Sequence, residues 1–287
     1  MHKLARQIRF AISPFKAIVK GANSYCAKPT ADGLSLFFAL WVELKGDINK
    51  NTGFIVNVAD IDRIVRNKAV GIFDEYVKNC LAVAGTATNC GFEQIAQLLS
   101  QVWKTIEKDF QPVLSKPALS GIEGVEVQAK IDSLALELMP ARKIAIKERM
   151  GDMLYFSEKF EFSASHTLWN DKFSDEENEK VFGKCANRKG HGHNYIVEVT
   201  IRGLTPGPVP GGINAGAFEN LVEQQFIRIV DHKNLNVDVK HFKKVSPTVE
   251  NIAEFAFRSL KDKLKPLLLD CVTVWENDRT FCTFRAD

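Results

Sequence analysis

The sequence predicts an α+β protein in which one β-β-α-α-β-β pattern is used twice, and three observations carry that expectation. Strand-like alternation and helix-like periodicity follow one another in the same order in residues 1–140 and again in 153–287. A constant offset of 157, which lays Gly46 on Gly203, also pairs Val42 with Val199, Asn57 with Asn214, Val65 with Val222, Ile72 with Ile229, Asp74 with Asp231, Glu93 with Glu250 and Ile95-Ala96 with Ile252-Ala253 without a gap, the mark of an internal duplication. Between the halves the composition shifts at Pro140-Ala141-Arg142-Lys143 and stays charged to Asp152, which reads as a linker over 141–152.

In the first half, Gln7 to Ser13 alternates like a strand, and a second strand runs from Leu34 to Leu44, ended by Gly46. Ile61, Ile64, Val65, Ile72 and Phe73 keep helical spacing, and Phe92, Ile95, Ala96, Leu99, Val102, Trp103 and Ile106 mark a clearer amphipathic helix. Short strands are expected at Val125 to Lys130 and Leu134 to Leu138. After His2 this half holds no histidine.

In the second half, Phe156, Glu158, Phe160, Phe162, Ala164 and His166 share one side of a strand. Asn170 to Lys180 is polar and reads as a solvated loop. The run from His191 to Ile201 alternates as the next strand and is turned by Gly203 and the Pro/Gly-rich stretch from Thr205 to Gly212. Phe218, Leu221, Val222, Phe226, Ile229 and Val230 form an amphipathic helix with Asp231-His232 at its end. Ser246-Pro247 opens a second helix, and Val272 to Glu276 and Thr280 to Phe284 close as a hairpin.

A chain of 287 residues with 45% hydrophobic and 25% charged residues has the composition of a soluble globular protein. Net charge +3 is too small and too scattered to predict nucleic-acid binding, and it suits an anionic small substrate. No apolar run approaches the ~20 residues of a membrane helix. The six cysteines form no CxxC pair and predict no disulfide framework, so a reducing cytoplasm is the expected compartment.

The chemistry concentrates at Cys185 and His191-Gly192-His193. Residues two apart on a strand point to the same side, so His191 and His193 converge on one point. Alone they are equally compatible with two ordinary strand histidines. His166, at the end of the neighbouring strand, supplies a third nitrogen, and three histidines with no fourth protein ligand is the pattern of a catalytic zinc site. The first half is an internal control: at the offset His191 and His193 face Leu34 and Leu36 and His232 faces Glu75, and in the first strand, with Phe160 laid on Phe10, His166 faces Lys16. Cys185 lies beside Lys184 and Arg188, a setting that with a zinc ion favours the thiolate. Asp231-His232 reads as an orienting carboxylate with a proton-transfer partner.

Phe162-Ser163-Ala164-Ser165-His166, Phe182-Gly183-Lys184-Cys185 with five residues before His191-Gly192-His193-Asn194-Tyr195, Asp231-His232-Lys233-Asn234-Leu235, Pro247-Thr248-Val249-Glu250-Asn251 and Glu276 resemble the 6-pyruvoyl-tetrahydropterin synthase family in order and spacing. The resemblance covers residues 154–287 and implies a T-fold, a four-stranded antiparallel sheet with two helices on one face. The first half resembles a degenerate copy, with Ala129 where Glu276 sits. Carried over, the resemblance implies that His166, His191 and His193 bind Zn2+. It makes Cys185 the general base with Asp231 and His232, Glu276 the pterin anchor, and Thr248 and Glu250 assistants in that pocket. The reaction implied converts 7,8-dihydroneopterin triphosphate to 6-pyruvoyl-tetrahydropterin with loss of triphosphate, and Lys184, Arg188 and Lys189 are candidates to meet the triphosphate. The alternatives are a 6-carboxy-tetrahydropterin synthase, which Pro247-Thr248 resembles, and a zinc- or pterin-binding scaffold without turnover. Family members close their open sheets into stacked rings, which implies a homotrimer giving six T-fold units.

Overall fold

The computed structural model describes residues 1–15, 34–50, 52–82, 91–114, 129–147, 153–204 and 213–286. The chain divides into two compact units, the first Met1–Tyr155 with Leu204–Gly207, the second Phe156–Gly203 with Pro208–Asp287.

The first unit contains β1 (His2–Ile12), β2 (Leu36–Gly46), α1 (Val58–Ala82), α2 (Phe92–Leu114), β3 (Lys130–Met139) and β4 (Arg142–Lys147). Its antiparallel sheet has the order β1-β2-β3-β4. The two-residue alternation of the sequence is the cause: Ile8, Phe10 and Ile12 from β1 and Leu40, Val42 and Leu44 from β2 are buried on one face. The helices cover it with Ile61, Val65, Phe73, Leu99 and Val102. Phe10 stacks on Phe38 at 5.5 Å and meets Phe73 edge-on at 5.1 Å. Asn57 starts α1, its side chain accepting from the backbone N–H of Ala59.

Two register shifts interrupt this sheet. Glu43 pairs with Ser133 and Leu44 with Ile131, which leaves Asp132 as an extra residue. Its carboxylate receives Lys3 at 2.5 Å and Lys45 at 3.0 Å. Glu137 pairs with Lys143 and Met139 with Arg142, which leaves out Leu138.

The expected strands at the end of this half are displaced. Lys130–Met139 is a single strand, and Pro140-Ala141 is a two-residue turn rather than the start of a linker. Arg142–Lys147, assigned to the linker over 141–152, forms β4 with Ile144 and Ile146 buried. Its charges, Arg142, Lys143 and Lys147, are half-buried, and Lys143 and Lys147 alternate with the two isoleucines. Residues 125–128 and 148–152, like Lys16, lie outside the described residues, as do Cys26, Cys90 and the Pro/Gly-rich 205–212. Cys80 is disulfide-bonded, whereas Cys185, Cys271 and Cys282 are free.

The second unit opens with β5 (Met153–His166), which enters it at Phe156. Then come α3 (Asp175–Phe182), a 3-10 turn (Gly183–Ala186) and β6 (His191–Leu204). Helix α4 (Ala215–Val222) passes through a π-helical turn (Glu223–Ile227) into α5 (Arg228–Val230). The chain continues as β7 (Lys233–Asn234), α6 (Leu235–Asp238), α7 (Val249–Leu260), β8 (Leu268–Asn277) and β9 (Thr280–Phe284). The main sheet has the order β5-β6-β8-β9, and the short β7 adds to β5 in parallel. Tyr195, Val197, Val199 and Ile201 alternate into the core against Phe162, Phe226, Ile252 and Phe257. Here too the sheet is interrupted twice. Asp270 is left out between the Thr200↔Cys271 and Ile201↔Leu269 pairs, and Glu276 between Trp275↔Phe281 and Asn277↔Thr280.

The insertion expected as a solvated loop is the helix α3. Ser174 caps it by accepting from Glu177 N–H while the Glu177 carboxylate accepts from Ser174 N–H, a capping box readable in Ser174-x-x-Glu177.

Candidate functional site

The three histidines meet at the ends of β5 and β6. His166 is wholly buried; its Nδ1–H donates to the carbonyl of Pro247 at 2.8 Å, which leaves Nε2 bare and facing the other two rings. His166 Nε2 and His191 Nε2 are 3.2 Å apart, and one nitrogen from each of the three rings lies within 4.8 Å of the others. The turn into β6 depends on Gly190. Its φ is +74°, and a Cβ there would stand 3.1 Å from the carbonyl oxygen of His166, so glycine lets β6 start against the end of β5.

Electrostatics favour the neutral ring at His166 and at His193. Burial holds the pKa of His166 below the ordinary histidine value, and the neighbouring His191 and His193 add to that. Burial does the same for His193. His191 Nδ1 and His193 Nε2 are buried and make no hydrogen bond. Converging histidine nitrogens, with unpartnered ring nitrogens on His191 and His193, fit a divalent metal of the zinc type. Among the described residues, this is the one group of three or more His, Cys, Asp or Glu side chains placed to hold an ion.

Glu276 leans into the cluster, its Oε1 at 3.5 Å from His166 Nε2 and 3.4 Å from His193 Nε2. Its position at a bulge is what aims it there. Cys185 is half-buried on the 3-10 turn, where, without a metal, burial and then the negative charge of Glu276 push the thiol up, so the thiolate expected there depends on a bound cation. Arg188 does not offset this, because its guanidinium lies 4.0 Å over the Trp169 ring and pairs with Asp175 at 3.0 Å. Lys184, Asn187 and Arg188 line an open cavity of about 630 Å³ next to this turn.

Tyr195 forms the floor. It is fully buried on the same side of β6 as His191 and His193, stacked 4.8 Å from Phe162 and with its ring 5.5 Å from that of His193. Among the described residues its hydroxyl has no hydrogen-bond partner. Burial, with the charges of Glu276 and Cys185 nearby, keeps the phenol protonated.

Asp231 and His232 sit elsewhere. The helix ends at Val230 just after the π turn, Asp231 is extended and His232 has φ of +54°. Both are keyed to Ser163: Asp231 Oδ1 accepts from Ser163 N–H at 2.9 Å, and His232 N–H donates to the Ser163 carbonyl at 2.6 Å. The Asp231 carboxylate is held below the usual carboxylate range by the Ser163 amide and the His232 ring, whose Nδ1 lies 2.8 Å away. His232, Ser163, Ser165 and Asn194 line a cavity of about 440 Å³. The Ser163 and Asn194 side chains alternate with Phe162 and Ala164, and with His193 and Tyr195, and so point to the opposite side of the sheet from the histidine cluster, although His193 also lines this cavity.

Thr248 caps α7, its hydroxyl accepting from Asn251 N–H, and Glu250 lies in the first turn near enough to Cys282 to help raise its thiol pKa after burial. Sequence reasoning misses the carbonyl of Pro247, which carries no sequence signal. It also misses Tyr195, whose signal is its parity with His191 and His193. The register corrects two equivalences. The position of Glu276 in the first unit is Leu138, not Ala129, since both are the extra residue at the β-bulge of the last hairpin. The stacked pairs Phe10–Phe38 and Phe162–Tyr195 place Pro14, not Lys16, opposite His166.

Residues 155–287 match the model of the family described as 6-pyruvoyl tetrahydropterin synthase. The chain is 38% identical over 131 residues to the human 6-pyruvoyl tetrahydrobiopterin synthase, a match that spans 46% of this chain and 90% of that protein. It is 38% identical over 141 residues to the counterpart from Poecilia reticulata, spanning 49% and 93%. The solved structure of the Caenorhabditis elegans 6-pyruvoyl tetrahydropterin synthase is 34% identical, with a TM-score of 0.44 over 47% of this chain and 96% of that one. With its histidine cluster inside the matched segment, the chain belongs to the 6-pyruvoyl tetrahydropterin synthase family.

Proposed function

We propose that this chain is a zinc-dependent 6-pyruvoyl-tetrahydropterin synthase, a lyase that converts 7,8-dihydroneopterin triphosphate to 6-pyruvoyl-tetrahydropterin and triphosphate. The observation that carries the reading is the convergence of His166, His191, His193 and Glu276 within the matched segment. Bound in the triad, zinc would supply Lewis-acid polarisation of the substrate's side-chain oxygens. Glu276 offers paired acceptors to the guanidine-like edge of the pterin, with Thr248 and Glu250 assisting. Cys185 takes the side-chain proton, and the Asp231–His232 pair relays it: Asp231 fixes the His232 tautomer through Nδ1 and leaves Nε2 to exchange a proton. Asp231 and His232 are keyed to Ser163 rather than to the Cys185 of their own chain, so in this reading they serve the Cys185 of a neighbouring copy in a homo-oligomer, a trimer of chains with six T-fold units. Light scattering tests this, and a stable monomer that turns over at full rate overturns it.

We further read 1–140 as a degenerate, non-catalytic copy. The extra residues Asp132 and Asp270 and the extra residues Leu138 and Glu276 share one offset, and β2 and α1 correspond to β6 and α4 at the offset of 157. The site positions in the first unit hold Pro14, Leu34, Leu36 and Leu138. The test of function is incubation of the purified protein, with zinc, and 7,8-dihydroneopterin triphosphate, followed by mass analysis. The pyruvoyl product with free triphosphate is expected. A carboxy-pterin with acetaldehyde would assign the sister reaction, and unchanged substrate would leave a binding protein.

A further inference from the structure

Tyr195 is a buried polar group that the reaction scheme above leaves unused. Its hydroxyl makes no hydrogen bond, and its ring is fully buried. The sheet register says what it faces. The last β6–β8 pair is Ile196↔Trp275, and one step further on Tyr195 and Glu276 stand opposite each other, where antiparallel neighbours share a face. In the first unit the same step beyond Ala39↔Glu137 brings Phe38 opposite Leu138. Phe38 stacks on Phe10 as Tyr195 stacks on Phe162. The packing of this position therefore needs a ring and not a hydroxyl. The hydroxyl and the carboxylate occur together in the unit with the histidines and are both absent from the other.

We propose that Tyr195 is a positioning residue whose phenolic O–H donates to the Glu276 carboxylate when the three histidines are engaged as ligands. In the present structure the carboxylate leans on His166 and His193 at 3.5 and 3.4 Å. Neither contact is a hydrogen bond, since His166 Nε2 is bare and His193 Nε2 makes none, and ring nitrogens engaged as ligands have no proton to give the carboxylate. The carboxylate is then short of a donor on the buried side, and the unused donor across the strand pair is Tyr195. With that donor in place, Glu276 is held facing the pterin rather than free to swing.

The proposal rests on Glu276 as the pterin anchor, and the experiment separates the two. In zinc-loaded protein, neopterin binding is measured for wild type, Y195F, E276Q and the double variant, with thermal unfolding of each. Tyr195→Phe is the residue the first unit uses, so its melting temperature should be unchanged or higher. Its neopterin affinity should fall about tenfold or more, the effect of losing one hydrogen bond to a charged group. Added to E276Q, the same change should cause no further loss, since Tyr195 acts through the carboxylate. Wild-type affinity in Y195F, an undiminished loss in the E276Q background, or a Y195F protein that fails to fold each overturns the proposal. Wild-type protein that binds no neopterin overturns it together with the anchor. Protein that binds neopterin but converts no triphosphate substrate refutes the enzymatic reading alone.

Discussion

The two units answer one structural problem with different side chains at the end of the sheet. Each has an antiparallel four-stranded order with extra residues at corresponding places in its last two strand pairs. One presents His166, His191, His193 and Glu276 there; the other presents Pro14, Leu34, Leu36 and Leu138. Their helices differ as well. Asp74 lies inside the uninterrupted α1, buried and paired with Lys78 at 2.6 Å, whereas the corresponding Asp231 follows a π turn and a helix end that turn it toward Ser163. The sheet does not require the histidines, and the helix does not require the break. Both departures occur in the unit that matches the enzyme family.

The largest break of this contrast comes from giving the second unit the residues of the first. H191L/H193L should lose stoichiometric zinc, measured by elemental analysis, and turnover should fall by three orders of magnitude or more, roughly the several kcal/mol that a catalytic metal contributes. The fold should survive, because the first unit keeps its sheet with leucines at the corresponding positions, Leu34 just before β2 and Leu36 at its start; a far-ultraviolet spectrum tests that. Next in size is Cys185→Ala, expected to leave zinc content intact and to lower turnover by about 10²- to 10⁴-fold if Cys185 is the general base. Unchanged turnover would remove Cys185 from the scheme.

Asp231→Asn sharpens the helix side of the comparison. It retains the shape but weakens the acceptor that fixes Ser163 N–H and the His232 tautomer, so turnover should fall about tenfold to a hundredfold with metal content unchanged. In the first unit Asp74→Asn breaks an ion pair with Lys78 and should leave turnover where it was.

Much of this contrast is legible in the sequence because strand parity is a two-residue rule. Parity alone places His191, His193 and their leucine counterparts on one side of a strand, and the offset of 157 aligns the helix starts Val58 with Ala215 and Phe92 with Val249. What stays hidden depends on interruptions of that rule. Bulges shift the register by one residue and leave no fixed composition, so the sequence sets Glu276 against Ala129 and makes β4 look like a linker. The π turn is equally silent, and so is the carbonyl of Pro247, since every residue has one. The capping box of α3 is visible in the sequence and is outweighed there by the charge of the segment.

The smallest effect concerns the bulges themselves. Asp132 and Asp270 are the extra residues of corresponding bulges, each held by a cation from the strand alongside: Lys45 at 3.0 Å in one, Arg202 at 3.7 Å in the other. If that charge pair is what fixes the bulge, Asp132→Asn and Asp270→Asn should each destabilise by about 1–3 kcal/mol, the cost of a weakened charged hydrogen-bond group, with the shorter-bonded Asp132 at the upper end. Like Asp74→Asn, and unlike the variants of the histidines, Cys185 and Asp231, these two should leave turnover intact, with zinc content untouched. Acid titration adds an independent reading for the first. Burial alone would raise the Asp132 pKa, but the bonds from Lys3 and Lys45 outweigh it and hold the carboxyl well below its ordinary value. A carboxylate depressed in the folded state contributes stability that is present above its unfolded pKa, about 4, and is lost as pH falls below that value. Denaturant melts of wild type and D132N should therefore converge as the pH is lowered from about 5 toward about 2. Curves that stay equally far apart would mean that Asp132 fixes the bulge by shape alone, and its counterpart Asp270 would have to be explained in the same way.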